Sequence, residues 1–365
     1  MKEIRQILKS YDNSDLSREK LALATVVNVE ESAYRRIGAR MLVSSNGNWI
    51  GGISGGCLEG DALKRSQLAI YKNSPSKVAY DTMDDDANQI GVGLGCNGRV
   101  EVLFCPIDEK DADNPIEVLR KIEAQNKAVV SISLIDGNVA ENELGNRILA
   151  PENLDDISFL GVDPEILRDK VMQAFEKRRS IVLNTVDGKE RSIKLLFEFI
   201  RPEMRLVIVG DNYDVNALVA IVAELGWNIY LVGRKRKMHK DTFLKAKAVF
   251  EYEDYDKVPV DEYTSILLMT HDFNWDKTIL KKVIPQKPIY VGMLGPKKRR
   301  IKMENEEGLE GLSELDFLYS PVGLDIGAES PEEIAVSIVS EILAVFRNRD
   351  GKKLKHRPGT IHERV

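Results

Sequence analysis

From Arg205 onward, short runs of aliphatic residues alternate with amphipathic stretches, and this alternation restricts the fold more than any other feature. Leu206-Val207-Ile208-Val209 and Ile229-Tyr230-Leu231-Val232 are apolar at every position, a pattern that a strand shows when both of its faces are covered. Between them Val215, Leu218, Val219 and Val222 fall on one helical stripe, and further runs follow at Ser265 to Met269 and Pro288 to Val291. Strand, helix and strand in this order give parallel strands with helices on both faces, so the expected fold is a doubly wound, Rossmann-like parallel sheet. A last helix is signalled by Ser330 as N-cap, Pro331 at the first helical position, Glu333 closing a capping box, and Ile334, Ile338 and Ile342 on one face.

The first half reads differently. Strand-like segments at Leu21 to Val29, Arg40 to Ser44, Val100 to Phe104, Val129 to Ile135, Ile181 to Thr185 and Ile193 to Ile200 mix with helices near Glu3 to Lys9, Leu58 to Lys72 and Asp163 to Lys177. Asn46-Gly47 separates Met41-Leu42-Val43 from Trp49-Ile50 and reads as a tight hairpin turn. Arg201-Pro202 interrupts the pattern, since the residue before a proline is driven out of the helical region. The organisation is therefore α/β: a mixed α+β domain over residues 1–200, the Rossmann-like domain over 201–347, and a polar, basic tail over 348–365.

With 365 residues, each domain can bury a core without staples. The three cysteines, Cys57, Cys96 and Cys105, form neither a disulfide framework nor a CxxC zinc pair. Met1 to Arg5 lacks an apolar leader, and no run approaches the ~18 apolar residues of a membrane span. The expectation is a cytoplasmic protein without a membrane segment, and the net charge of −6 argues against general nucleic-acid binding.

The chemistry concentrates in Gly51-Gly52-Ile53-Ser54-Gly55-Gly56-Cys57-Leu58-Glu59-Gly60-Asp61, where a thiol and a carboxylate are set among five glycines just before a helix. Unsatisfied N–H groups at a helix start favour the thiolate, the nucleophilic and metal-ligating form. The alternative is a structural turn with a small buried cysteine. In the second half the dinucleotide fingerprint G-x-G-x-x-G is replaced by Gly210-Asp211-Asn212-Tyr213-Asp214-Val215, and Gly233-Arg234 stands where an acid would hold a ribose. These changes argue against ordinary NAD binding. Arg234-Lys235-Arg236-Lys237 and Lys297-Lys298-Arg299-Arg300 both leave carboxyl ends of expected strands, where ligands of such sheets bind. They are either solvated surface or an anion crevice, and the 2′-phosphate of NADP is one occupant it would accept. His271 lies on the same edge, with Asp272 or Asp276 as orienting partners.

The chain resembles the XdhC/CoxI family of maturation factors for molybdenum hydroxylases. The resemblance rests on Glu31-Ser32-Ala33-Tyr34-Arg35-Arg36-Ile37-Gly38-Ala39-Arg40-Met41-Leu42-Val43, Ser54-Gly55-Gly56-Cys57-Leu58-Glu59-Gly60 and Gly91-Val92-Gly93-Leu94-Gly95-Cys96-Asn97-Gly98. In the second half it rests on Thr270-His271-Asp272, Tyr290-Val291-Gly292-Met293-Leu294-Gly295 and Pro321-Val322-Gly323-Leu324-Asp325-Ile326-Gly327-Ala328. It implies a chaperone rather than an enzyme: a homodimer that binds the molybdenum cofactor, holds it while a cysteine desulfurase supplies a sulfur, and delivers it to the hydroxylase apo-enzyme. Cys57 would be the metal ligand. Arg36, Gly38, Arg40, Ser54, Gly55, Gly56, Glu59 and Cys96 would complete the cofactor site, with Gly210, Arg234, His271 and Lys297 lining the second domain, whereas Cys105 reads as core. The family usually carries a more glycine-rich first turn, an acid after the second strand and Ser where Pro296 stands, so nucleotide binding is in doubt while the thiol loop is intact. The competing functions are an NADP-dependent oxidoreductase using His271 and Arg234, and a docking protein that never touches the cofactor.

Overall fold

The computed structural model describes residues 1–31, 35–81 and 98–357. The chain divides into two compact units, broadly residues 3–202 and 203–357. The first contains α1 (Lys2–Asp12), β1 (Leu21–Glu31), β2 (Arg40–Ser44), β3 (Trp49–Gly51), α2 (Glu59–Lys72), β4 (Ser76–Asp81), β5 (Gly98–Pro106), α3 (Pro115–Glu123), β6 (Val129–Gly137), β7 (Arg147–Leu149), α4 (Pro164–Glu176), β8 (Ile181–Val186) and β9 (Ser192–Ile200). They form two antiparallel sheets, ordered β3-β2-β1-β5-β4 and β7-β6-β9-β8.

The period-2 alternation of each strand decides what the sheets bury. Ala24, Val26, Met41, Val43, Val102 and Phe104 pack on Leu58, Ala62 and Ala69 around α2. On the far side of the second sheet, Ile132, Leu134, Leu195 and Phe197 pack on Leu167, Val171 and Ala174 of α4. Each such fully buried large side chain contributes about 1.5–3 kcal/mol. Between the sheets the apolar cluster is small, comprising Val27, Leu103, Cys105, Ile135 and Leu196. Charged residues fill much of the remainder. Arg40 meets Glu198 across the gap, and the buried Glu101 faces Lys77, Arg99 and Lys194. Buried charges persist only when paired, as these are.

The turn between β2 and β3 is wider than a two-residue hairpin. Only Gly47 has a positive φ, the Ser44 and Gly47 amides donate to Asn48 and Ser44 carbonyls, and Val43 pairs with Trp49.

The second unit contains β10 (Arg205–Val209), α5 (Asp214–Leu225), β11 (Asn228–Val232), α6 (Lys240–Lys245), β12 (Ala248–Phe250), β13 (Thr264–Leu268), α7 (Phe273–Val283), β14 (Tyr290–Met293), α8 (Lys297–Glu304), β15 (Leu318–Tyr319) and α9 (Pro331–Phe346). The six strands are all parallel, in the order β12-β11-β10-β13-β14-β15. Leu206 and Ile208 face the cluster containing Val219 and Ile338, while Val207 and Val209 face the one containing Tyr255 and Ile279. The sheet is therefore covered on both sides, which is the physical meaning of its continuously apolar strands. The order reverses between β10 and β13, and the loops after these two strands flank the switch point where such sheets bind ligands. The capping box of α9 forms as expected, Glu333 N–H donating to Ser330 Oγ and Ser330 N–H to the Glu333 carboxylate. Among the described residues no helix is long and apolar enough to cross a membrane.

Candidate functional site

The thiol loop is delivered by the β2–β3 hairpin and anchored at both ends by buried residues, Ile53 and Leu58. Gly51 makes the entry possible: its φ is +81°, and a Cβ there would lie 2.3 Å from the Arg40 carbonyl oxygen. That oxygen accepts the Gly52 N–H at 2.8 Å. The segment from Gly55 to Cys57 is exposed, so the Cys57 thiol faces outward and is not sealed among aliphatic neighbours. A Cβ on Gly56 would meet nothing within 4 Å, which leaves open space beside the thiol.

Two side chains hold the loop in shape. The Glu59 carboxylate accepts the Ile53 N–H at 3.2 Å, the Ser54 N–H at 2.8 Å and the Ser54 hydroxyl. Ser54 Oγ in turn accepts the Gly56 N–H at 3.2 Å and the Leu58 N–H at 3.0 Å. Partial burial pushes the Glu59 carboxyl up, but the bonds from Ser54 and from backbone N–H groups outweigh it and the net shift is downward. Most of the loop amides are therefore spent within the loop. Between Ile53 and Leu58 four are engaged internally, and only those of Gly55 and Cys57 have no acceptor among the described residues. Helix α2 begins at Glu59 with Leu58 as its N-cap, so Cys57 precedes the helix rather than opening it.

Arg40 is also corrected. Its guanidinium is not presented to a ligand: the residue is 4% exposed, and Nη2 donates to both oxygens of Glu198 at 2.6 and 2.7 Å. Nη1 donates to the Gly38 carbonyl, and a Cβ on Gly38 would strike Glu198 Oε1. Gly38 and Arg40 are therefore scaffold beneath the loop, whereas Arg36 is exposed. Cys96 and its glycine-rich loop lie outside the described residues. Cys105 is buried as expected, with Arg147 Nη2 3.5 Å from its sulfur. Burial pushes that thiol up despite the arginine. Among the described residues no group of three or more His, Cys, Asp or Glu side chains is placed to hold a metal ion.

At the carboxyl edge of the second unit, Gly210 is held against β13, where a Cβ would lie 2.5 Å from the Met269 carbonyl oxygen. Arg234 does not stand free to read a 2′-phosphate. Its Nε and Nη2 donate to Asp211 at 2.7 and 3.1 Å, and its N–H donates to the same carboxylate at 2.9 Å. Burial pushes the Asp211 carboxyl up, and the Arg234 bonds reverse this to a net lowering. The partner of His271 is neither Asp272 nor Asp276: Nε2 lies 2.7 Å from Asp214 Oδ2. Asp272 caps α7 through the Asn274 and Trp275 amides, while the buried Asp276 binds Thr270 and Arg299. Lys297, the first residue of α8, is exposed. The sequence shows Arg234 where an acid would hold a ribose, but not that Asp211 is its partner. The Ser54–Glu59 pairing carried no such signal, because its spacing matches no capping box.

Residues 206–342 match the XdhC Rossmann domain, and residues 16–81 match the XdhC and CoxI family. A Bacillus subtilis (strain 168) protein described as a probable subunit of xanthine dehydrogenase is 30% identical over 89% of this chain and 93% of its own length. The molybdenum cofactor insertion chaperone PaoD of Escherichia coli (strain K12) is 22% identical over 93% of this chain and 88% of its own. The crystal structure of a Bacillus halodurans protein described as a xanthine dehydrogenase superposes with a TM-score of 0.73 at 26% identity, covering 98% of each chain. With these matches over both of its units, the chain belongs to the XdhC/CoxI family.

Proposed function

We propose that this protein is a maturation chaperone for a molybdenum hydroxylase, and that it carries the molybdenum cofactor at the Cys57 loop. The single observation that supports this most is the outward thiol on an internally braced loop with open space beside it. The residues fit such a group. A thiolate is a soft ligand suited to a metal already bound through sulfur, and the Gly55 and Cys57 amides can donate to an oxygen on that metal. When bound, the cofactor supplies the redox-active metal centre that the client enzyme lacks. The chain's own residues bind and orient it: Cys57 contacts the metal, Ser54 and Glu59 fix the loop, and Arg36 is an exposed cation of the same unit. Arg40 acts from beneath as a positioning residue.

A chaperone of this kind performs no turnover. A cysteine desulfurase as sulfur donor, the hydroxylase apo-enzyme as recipient, a homodimeric state and a cytoplasmic location complete the reading. The test is anaerobic incubation with cofactor released from a molybdoenzyme, followed by gel filtration and metal analysis. Wild type retains molybdenum and Cys57→Ala does not. Equal retention by both removes Cys57 from the site, and no retention by either removes the carrier function.

A further inference from the structure

Among the described residues six strands lie at sheet edges, and five of them are blunted against pairing with another chain. β3, β7 and β12 have three residues each and β15 has two. β4 has six, but its Lys77 points inward and is tied to Glu101 and Asp136. β8 is the exception. Its six residues Ile181-Val182-Leu183-Asn184-Thr185-Val186 hold no charge and no proline, and they pair with β9 without a bulge.

The ladder decides which backbone groups of β8 are free. Asp187 N–H donates to the Arg191 carbonyl, so the alternation of an antiparallel pair makes Thr185, Leu183 and Ile181 the residues that exchange bonds with β9. Val182, Asn184 and Val186 turn their N–H and C=O groups to the open side, where none has a partner among the described residues. The side chains along this edge are only partly covered as well. Leu195 and Phe197 are fully buried under α4, whereas Ile181 and Leu183 beside them are half-buried, and Val186 is 55% exposed.

We propose that two copies of this chain join through β8, paired with itself antiparallel across a two-fold axis, so that two four-stranded sheets become one of eight strands. Identical strands satisfy each other only where outward residues meet outward residues. With Asn184 on the axis this holds along the whole strand: Asn184 meets its own copy, and Val182 meets the partner's Val186, which covers the exposed valine with a β-branched neighbour. Charge selects the same direction. Exposed Lys177, Arg178 and Arg179 lead into β8, while Glu143, Asp187 and Glu190 gather at its far end, offset there by Lys189 and Arg191. Antiparallel pairing sets each basic start beside the acid-richer finish of the other copy, and a parallel pairing would set like against like. The contact is isologous and closes, because the joined sheet ends on both sides at β7, a strand of three residues. This inference rests on the homodimeric part of the proposed function and gives it a surface, without involving the thiol loop.

Analytical ultracentrifugation of the full chain tests it, and wild type sediments as a dimer. Asn184→Lys opposes two ammonium groups on the axis and raises the dimer dissociation constant about tenfold or more. Asn184→Pro does the same, because the N–H it removes points away from β9 and the chain's own ladder is kept. Circular dichroism reads both variants as folded. In a Cys57→Ser background, diamide links Asn184→Cys copies into covalent dimers, since residues exchanging bonds across such a pair have Cα atoms about 5.5 Å apart. Thr185→Cys stays unlinked, because it faces the partner's Leu183 rather than its own copy. A monomeric wild type overturns this surface and the homodimeric reading together. A dimer that Asn184→Lys leaves as tight as wild type, or that yields no Asn184→Cys disulfide, overturns the surface alone. Molybdenum retention is read separately, so either result leaves the carrier reading intact.

Discussion

Removing the Glu198 side chain tests whether the thiol loop is supported from beneath. The Arg40–Glu198 pair is 5% and 10% exposed at its side chains, and Glu198→Ala leaves a guanidinium buried without its two bonds to the carboxylate, 2.6 and 2.7 Å. Its Nε already has no partner among the described residues. Breaking a buried pair from one side costs about 3–5 kcal/mol, because the surviving charge remains desolvated. For a unit of this size each kcal/mol lowers Tm by ~2–4 °C, so the transition of the first unit should fall by roughly 6–20 °C. Differential scanning calorimetry of the full chain reads this, the second unit's transition serving as the internal reference. The double variant Arg40→Met, Glu198→Met replaces the pair by apolar volume and should recover most of the loss. A drop of less than about 1 kcal/mol in the single variant, or a double variant as unstable as the two singles summed, would refute the reasoning.

Gly51→Ala should destabilise the first unit by about 2 kcal/mol or more, since it adds a Cβ onto the Arg40 carbonyl at a positive φ; urea denaturation measures it. Gly60→Ala, in α2 with open space around it, should instead stabilise by ~0.5 kcal/mol in the same assay. The Glu59 carboxyl is lowered in the folded state, so its contribution is complete above its unfolded value and is lost as pH falls through the folded one. The stability difference between wild type and Glu59→Gln should therefore be constant at neutral pH and shrink in acid below about pH 4.5. Growth of that difference on acidification would contradict the assignment. At neutral pH the Glu59→Ala amides from Ile53 to Leu58 should exchange hydrogen faster than those of wild type, and unchanged protection would show that the Ser54–Glu59 bonds do not hold the loop.

The second unit was the more legible in the sequence, for a physical reason. Strands such as Leu206 to Val209 are buried on both faces and carry a signal at every residue, so four of the six were readable. The two missed, β12 and β15, are three and two residues long at the sheet edges, too short for any period to register. In the first unit β4 and β7 were missed because they are only partly buried, and α3 because its cap, Asn114, lies in a run of charged turn residues. At the thiol loop, glycines and a cysteine announced themselves by type. The roles of Arg40 and Glu59 did not, since an arginine 158 residues from its partner looks in sequence like any cation near a ligand. His271 was legible as a residue of the sheet edge, but its partner Asp214 was not, because the bond joins two loops that only the strand order brings together.

The charged layer between the two antiparallel sheets has a mechanical consequence. Greasy interfaces tolerate slippage, because one methyl substitutes for another; oppositely charged side chains at fixed stations do not. Slipping β2 by a single residue against its pairing partner β1 would turn Arg40 to the opposite face of its sheet, away from Glu198 on the other. The aim of the cysteine is thus inherited from how two sheets are indexed against each other, and a designer wishing to redirect it would have to recut that indexing before touching the loop.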